Sequence, residues 1–289
     1  MDTVTHTLFG LTLYGALNKT GLSPALKKSL FLTAVIGSNI PDIDVVAGFT
    51  ETGKIMQQMW HRGITHSVFM VPVWALLLSL VCFALWKRKD RRIFWLGVTS
   101  VLIHDTSDML NTWGTGFFEP ISHYRVSFGA LPIVDVVLWA VIAFGWLGVW
   151  LVRRFKSHSI LRAAWTVMAI YAALQLIQVA TIYSRAMGEY IRLEVSAGFV
   201  PGQFQVFGLL NGRVDIMDAN VWSQPRLRES LASDDTADLK PLFKQNPRAL
   251  TLYTWSPFVV VVNNDKELGI YDPRFYKNGS SFLHESIKK

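Results

Sequence analysis

VFMVPVWALLLSLVCFALW, residues 68–86, carries no charged side chain over 19 positions, and as a helix that length crosses the hydrocarbon of a bilayer. Residues 163–184 do the same over 22 positions, and residues 136–152 over 17, with Asp135 standing at the start of the run. Across the whole chain 51% of residues are hydrophobic and only 17% charged, the makeup of a membrane protein. Three shorter apolar runs, 7–18, 29–41 and 93–103, are too short to span on their uncharged residues alone. They read as helices buried in a bundle and extended at one end by polar residues. The expectation is a mainly α multi-helix transmembrane bundle of about six helices, some short, at roughly 5–18, 29–40, 68–86, 93–109, 134–152 and 161–184. The beginning lacks the basic region of a cleavable signal, so the first run is expected in the mature fold. Cys82, the single cysteine, lies inside a span and reads as a packing residue.

The net charge of +7 raises nucleic acid as a partner, and its placement argues against it. Loops 18–28, 87–92 and 153–162 hold twelve Lys or Arg against one acid, Asp90, whereas 41–67 and 104–135 hold three basic residues and seven acids. That is the positive-inside asymmetry of a polytopic membrane protein, and no nucleic acid is expected to bind. The basic loops join helices 1–2, 3–4 and 5–6, so with those loops cytoplasmic the other helix ends face outward. From about residue 185 the pattern changes. Residues 185–289 mix 13 basic with 12 acidic side chains, and YIRLEV, FQVFGLLNG, RALTLYTW and FVVVVNNDKELGIYD read as strands with turns. Residues 223–248 are polar and read as a loop or short helix. Two domains are expected: a helical membrane domain over 1–184 and a small β-rich, soluble, extracytoplasmic domain over 185–289.

Residues able to bind a metal gather at the outward helix ends. His104 and Asp108, in VLIHDTSDML, are four apart and share one helix face. His6 opens the first helix, Asp42 and Asp44 follow the second, His61 and His66 precede the third, and Asp135 opens the fifth. Pro41 disfavours the helical region for Ile40, which places Asp42 and Asp44 in a loop. Thr65 is expected to cap the third helix, with Pro72 in or near its first turns. Three or four such N and O donors held together suit a divalent ion, and His with Asp suits zinc. Each residue also has a structural reading: Asp42 as a helix terminator, Asp108 as a cap or a partner of Arg125. The sequence carries no esterase elbow, glycine-rich phosphate loop or Cys-x-x-Cys site.

MDTVTHT at 1–7, GSNIPDID at 37–44, HRGITHS at 61–67 and HDTSD at 104–108 resemble the YdjM-type membrane-bound metal-dependent hydrolases, over roughly residues 1–150. That family is distantly similar to zinc-dependent phospholipase C and P1-type nucleases. The resemblance implies His6, Asp42, His66, His104 and Asp108 as ligands in that order, with Asp108 bridging one ion held by Asp42, His66 and His104 and another near His6. The soluble enzymes' amino-terminal Trp ligand and second H-x-x-x-D/E pair have no counterpart. Asp135, His123 and His61 then stand as candidates to complete one or two ions, and Asp44 either orients a ligand histidine or replaces Asp42. Asp44, His61 and Arg125 are the candidate catalytic groups, Arg125 and Arg62 being able to grip a phosphate through two hydrogen bonds each. Two functions follow. One is a membrane-bound hydrolase of phosphoesters, with membrane lipid as surroundings and a lipid headgroup as a possible substrate. The other is a non-catalytic scaffold or regulatory protein with a structural metal.

Overall fold

A computed structural model describes residues 1–152, 155–188 and 190–289. About half of it is helical, and antiparallel sheet is confined to the C-terminal region. The chain forms two compact units, Met1–Ile43 with Arg62–Gln175, and Asp44–His61 with Leu176–Lys289.

In the first unit, α1 (Thr3–Gly15) starts at Asp2, whose carboxylate accepts from the amides of Val4 and Thr5 at 3.0 and 3.1 Å, satisfying two of the donors a helix start leaves free. Ser23 and Pro24 start α2 (Pro24–Gly37) in the same economical way, the proline occupying a position that needs no amide hydrogen. The residues after Pro41 wind into a 3-10 helix, Ile40–Phe49, where a loop was expected; proline's fixed φ is compatible with that tighter helix. Two short helices follow, α3 (Glu51–Ile55) and α4 (Gln57–Trp60), then a 3-10 turn at Ile64–His66. Thr65 lies inside that turn. It does not cap α5 (Val71–Trp86), which starts without a side-chain cap and has Pro72 in its first turn. Asp90 caps α6 (Arg91–Met109) and Asp135 caps α7 (Val136–Leu151).

α6 packs against α2 and α5, and α1 against α2. Small residues set these approaches: a Cβ on Gly10 would stand 2.7 Å from the Ala34 carbonyl oxygen, so α1 and α2 meet there only because the site is glycine. One apolar core gathers Leu26, Leu30, Ala34, Cys82, Ile93 and Leu96; a second gathers Phe9, Leu131, Leu138, Ile142 and Met168.

α8 (Ser157–Ala186) is the one described helix long and apolar enough to cross a membrane by itself, and the number rises to at most three if two bent helix pairs each count as a span. Six helices lie close to the six apolar segments, but six spans do not follow. With 13, 14 and 16 residues, α1, α2 and α7 are short. Sixteen residues rise only about 24 Å, against roughly 30 Å of hydrocarbon. α6 has 19 residues and carries Arg91, Arg92, Asp105 and Asp108. Of the loop basic residues, Arg153 and Arg154 lie outside the described residues.

In the second unit β1 (Arg192–Ala197), β2 (Phe204–Leu210), β3 (Arg213–Ala219) and β4 (Arg226–Ala232) form an antiparallel meander. Alternation along β2 sends Phe204 and Val206 toward Ile182 and Ala186 at the end of α8, and Phe207 toward Phe258 and Val260, so both faces of the sheet are covered. α9 (Lys240–Gln245) and α10 (Pro247–Trp255) intervene before β5 (Val260–Asn263) and β6 (Glu267–Tyr271). The chain then closes with the β7 (Tyr276–Lys277) and β8 (Ser280–Ser281) hairpin and β9 (His284–Lys288), which pairs with β6. RALTLYTW is therefore helix and not strand. Asn246 caps it, Pro247 opens it, and Ala249, Leu252 and Trp255 recur at helical spacing as its buried face. The polar stretch 223–248 contributes the short helix α9, as one reading of it expected, and the strand β4, which neither reading did.

Candidate metal centre

Four donors converge in the first unit: Asp42 from the 3-10 helix, His66 from the turn before α5, and His104 and Asp108 from consecutive turns of α6, one ligand atom from each lying within 4.8 Å of all the others. The pairwise distances are close. His66 Nε2 is 3.3 Å from Asp42 Oδ1 and 3.5 Å from Asp108 Oδ2, while His104 Nε2 is 3.6 Å from each of the same two oxygens. The two Nε2 atoms stand 3.1 Å apart. Donors bonded at about 2.1 Å to a tetrahedral zinc lie roughly 3.4 Å from one another, so the separations are those of a ligand shell. His104 Nδ1 lies 2.8 Å from the Ser38 carbonyl oxygen; an N–H there fixes the tautomer that leaves Nε2 as a lone pair. His66, His104 and Asp108 are wholly buried.

His6 joins this group from α1. Its Nε2 is 3.3 Å from Asp108 Oδ1, and its ring stacks on His104 at 3.8 Å between centroids. Asp108 thus turns one oxygen to His6 and the other to His66 and His104. The Met1 amino group also pairs with Oδ1.

Two further buried residues adjoin these donors, Asp105 along α6 beside His104 and Arg62 through Asp108. Asp105, within HDTSD, is wholly buried and neither of its carboxylate oxygens has a hydrogen-bond partner. A buried carboxylate so placed is costly without a cation near it. Its signal lay in the sequence as a second acid beside His104, one position off the face shared by His104 and Asp108. Arg62 is buried, places Nε 3.0 Å from Asp108 Oδ2, and donates to Asn111 Oδ1 at 2.8 Å and to the Met1 carbonyl at 3.2 Å. Its φ of 58° puts an arginine in the left-handed region, a conformation that persists only where the surroundings enforce it.

Asp135 caps α7 through Val137 and Leu138 amides at 2.9 and 3.0 Å and accepts from the Tyr171 hydroxyl at 2.9 Å. Arg125 contacts the carbonyls of Arg62 and Gly114 at 3.4 and 3.5 Å, so it supports the loop behind Arg62. His123 is exposed. Asp44 and His61 belong to the second unit, where His61 Nδ1 lies 3.0 Å from Asp44 Oδ1. In the loop after α6, burial pushes the Glu119 carboxyl up, against the opposing pull of Arg125 and His123.

The model of a family described as YdjM inner membrane protein matches residues 1–182, a span that contains every residue of the centre. The chain belongs to that family. Among curated relatives, the "Uncharacterized protein YfhP" of Bacillus subtilis (strain 168) is 28% identical over 156 residues, which are 51% of this chain and 47% of that protein. The chain thus matches about half the length of that relative. No solved structure matches. Membership in the YdjM family agrees with the apolar α8 as a helix able to cross the inner membrane.

Proposed function

We propose that this YdjM-family chain is a membrane-bound, metal-dependent hydrolase of phosphoesters, with one or two zinc ions held by Asp42, His66, His104, Asp108 and His6. The observation that carries the reading is the spacing of the four converging donors, together with Asp108 presenting its two oxygens to different histidines, as a carboxylate shared by two ions does. The order of these ligands along the chain supports the likeness to zinc-dependent phospholipase C and P1 nuclease. A divalent ion bound there supplies an acidified water and a positive charge against a phosphoryl oxygen. Asp42 and Asp108 would neutralise the ion, Ser38 holds His104 in the donor tautomer, and Arg62 holds the same Asp108 oxygen that faces His66 and His104. The distribution of charged loops supports a site and a C-terminal domain on the extracytoplasmic side.

The alternative of a purely structural metal is separated by one property: a catalytic ion keeps a coordination position for water or substrate, and a structural one closes it. Elemental analysis of the purified chain, paired with a screen of phosphodiesters and phospholipids, tests both. The expected result is zinc in the wild type, loss of zinc in Asp108→Ala, and a hydrolytic activity lost with it. Zinc without turnover on any phosphoester sinks the hydrolase and leaves the structural reading; no metal in the wild type sinks both.

A further inference from the structure

Next to the candidate metal centre the first unit holds a second space, a partly open cavity of about 190 Å³ between α1, α6, α7 and α8. Its walls are two facing helical stripes. α6 contributes Ile103, Thr106, Ser107 and Leu110, and α8 contributes Trp165, Met168, Ala169 and Ala172; each set has the i, i+3, i+4, i+7 spacing of one helix face. The stripes run side by side for about 10 Å of helix. Met1 closes one wall, and the Met1 amino group pairs with Asp108, so one residue separates the cavity from the centre. The few polar atoms of the wall are already engaged, the Thr106 hydroxyl with the Leu102 carbonyl at 2.6 Å and the Ser107 hydroxyl with the His104 carbonyl at 2.8 Å. Water needs two to four polar partners to remain in such a space, which this wall does not offer.

We propose that this cavity seats a hydrocarbon chain of a membrane lipid whose polar head lies at the metal centre. α8, the helix able to cross the bilayer, forms one wall, so the medium outside that wall is acyl chain and not water. The occupant is amphiphilic because one donor in the wall has no partner: the Trp165 indole N–H is buried and makes no hydrogen bond. An ester carbonyl at the head of an acyl chain accepts such a donor, and a pure hydrocarbon cannot. That the lipid is the substrate rests on the hydrolase reading; that the cavity holds its chain does not.

The test uses the full chain in nanodiscs of phosphatidylethanolamine and phosphatidylglycerol, doped with a phosphatidylglycerol that carries a diazirine in its acyl chain. After irradiation, adducts are mapped by residue. Adducts are expected on the cavity residues Met168 and Leu110, as well as on outward-facing Val167, Ile170 and Leu174, which any annular lipid reaches. Ala172→Trp, which fills the cavity, should remove the Met168 and Leu110 adducts and spare the outward ones, and Trp165→Phe should weaken them about fivefold, the worth of one hydrogen bond of about 1 kcal/mol. Excess unlabelled phosphatidylglycerol should compete away the cavity adducts of the wild type, a readout that holds even if Ala172→Trp does not fold. Adducts confined to Val167, Ile170 and Leu174, or cavity adducts untouched by competition, overturn the proposal. Cavity labelling in a protein without phosphoester turnover retains the lipid seat and removes only the hydrolase.

Discussion

Asp108 meets more of the centre than any other side chain, touching His6, His66, His104, Arg62 and the Met1 amino group. Asp108→Ala should therefore cost all bound metal, whereas Asp42→Ala, which leaves the His6 side intact, should leave partial occupancy; metal content per chain by mass spectrometry distinguishes the two. Arg62 joins an ion pair to a left-handed backbone. Arg62→Ala loses the first and keeps the strain of the second, while Arg62→Gly loses the pair but relaxes the φ, so the glycine variant should be the more stable by about 1 kcal/mol in a denaturant titration. The convergence of the candidate donors was legible in the sequence because His104 and Asp108 stand four residues apart and Pro41 marks the turn that carries Asp42. Asp105 was not, since its spacing suggested a different helix face and only packing shows that this face is buried too.

Elements reveal why Asp135 misleads. A carboxylate just before an apolar run serves as well for a cap as for a ligand, and here both of its oxygens are engaged by α7 and Tyr171. Asp135→Ala should destabilise the helical unit by about 0.5–2 kcal/mol and leave metal content unchanged, which a melt paired with elemental analysis would show. RALTLYTW misleads for the opposite reason: its β-branched and aromatic residues suit a strand, and the cap at Asn246 with Pro247 outweighs them. On β1, burial pushes the Glu194 carboxyl up. The folded state then holds that proton more tightly than the unfolded one, so the contribution to stability is full below the ordinary Glu range and is lost as pH rises through the raised value. Amide exchange across β1 and β2 should quicken over that rise, and Glu194→Gln should abolish the dependence.

At the scale of the whole molecule, a metal bound at the candidate centre would be coupled to the fold of the first unit. Chelation would leave Asp42 and Asp108 close together in a low-dielectric interior without a cation between them. An ion present at a hundred times its dissociation constant contributes about 2.7 kcal/mol, so chelator should raise amide exchange in α1 and α6 and leave β1–β4 unchanged. Orientation is checked with single cysteines at Lys89 and Ser223, both exposed, in a Cys82→Ala background: a membrane-impermeant reagent on intact cells should label 223 and not 89. The helical segments were legible, but the number of spans was not, because an apolar run records only a lack of charge while a crossing requires length as well. α6 shows the difference most plainly, with two arginines at one end and two buried aspartates near the other. Charged side chains toward both ends of a 19-residue helix leave too short an apolar stretch to span, so α6 does not enter a bilayer on its own apolarity. Its partners α2 and α5 both precede it along the chain. During synthesis they leave the ribosome first, as do Met1, His6, Arg62 and His66, so α6 emerges to find the groups that meet Asp108 already made.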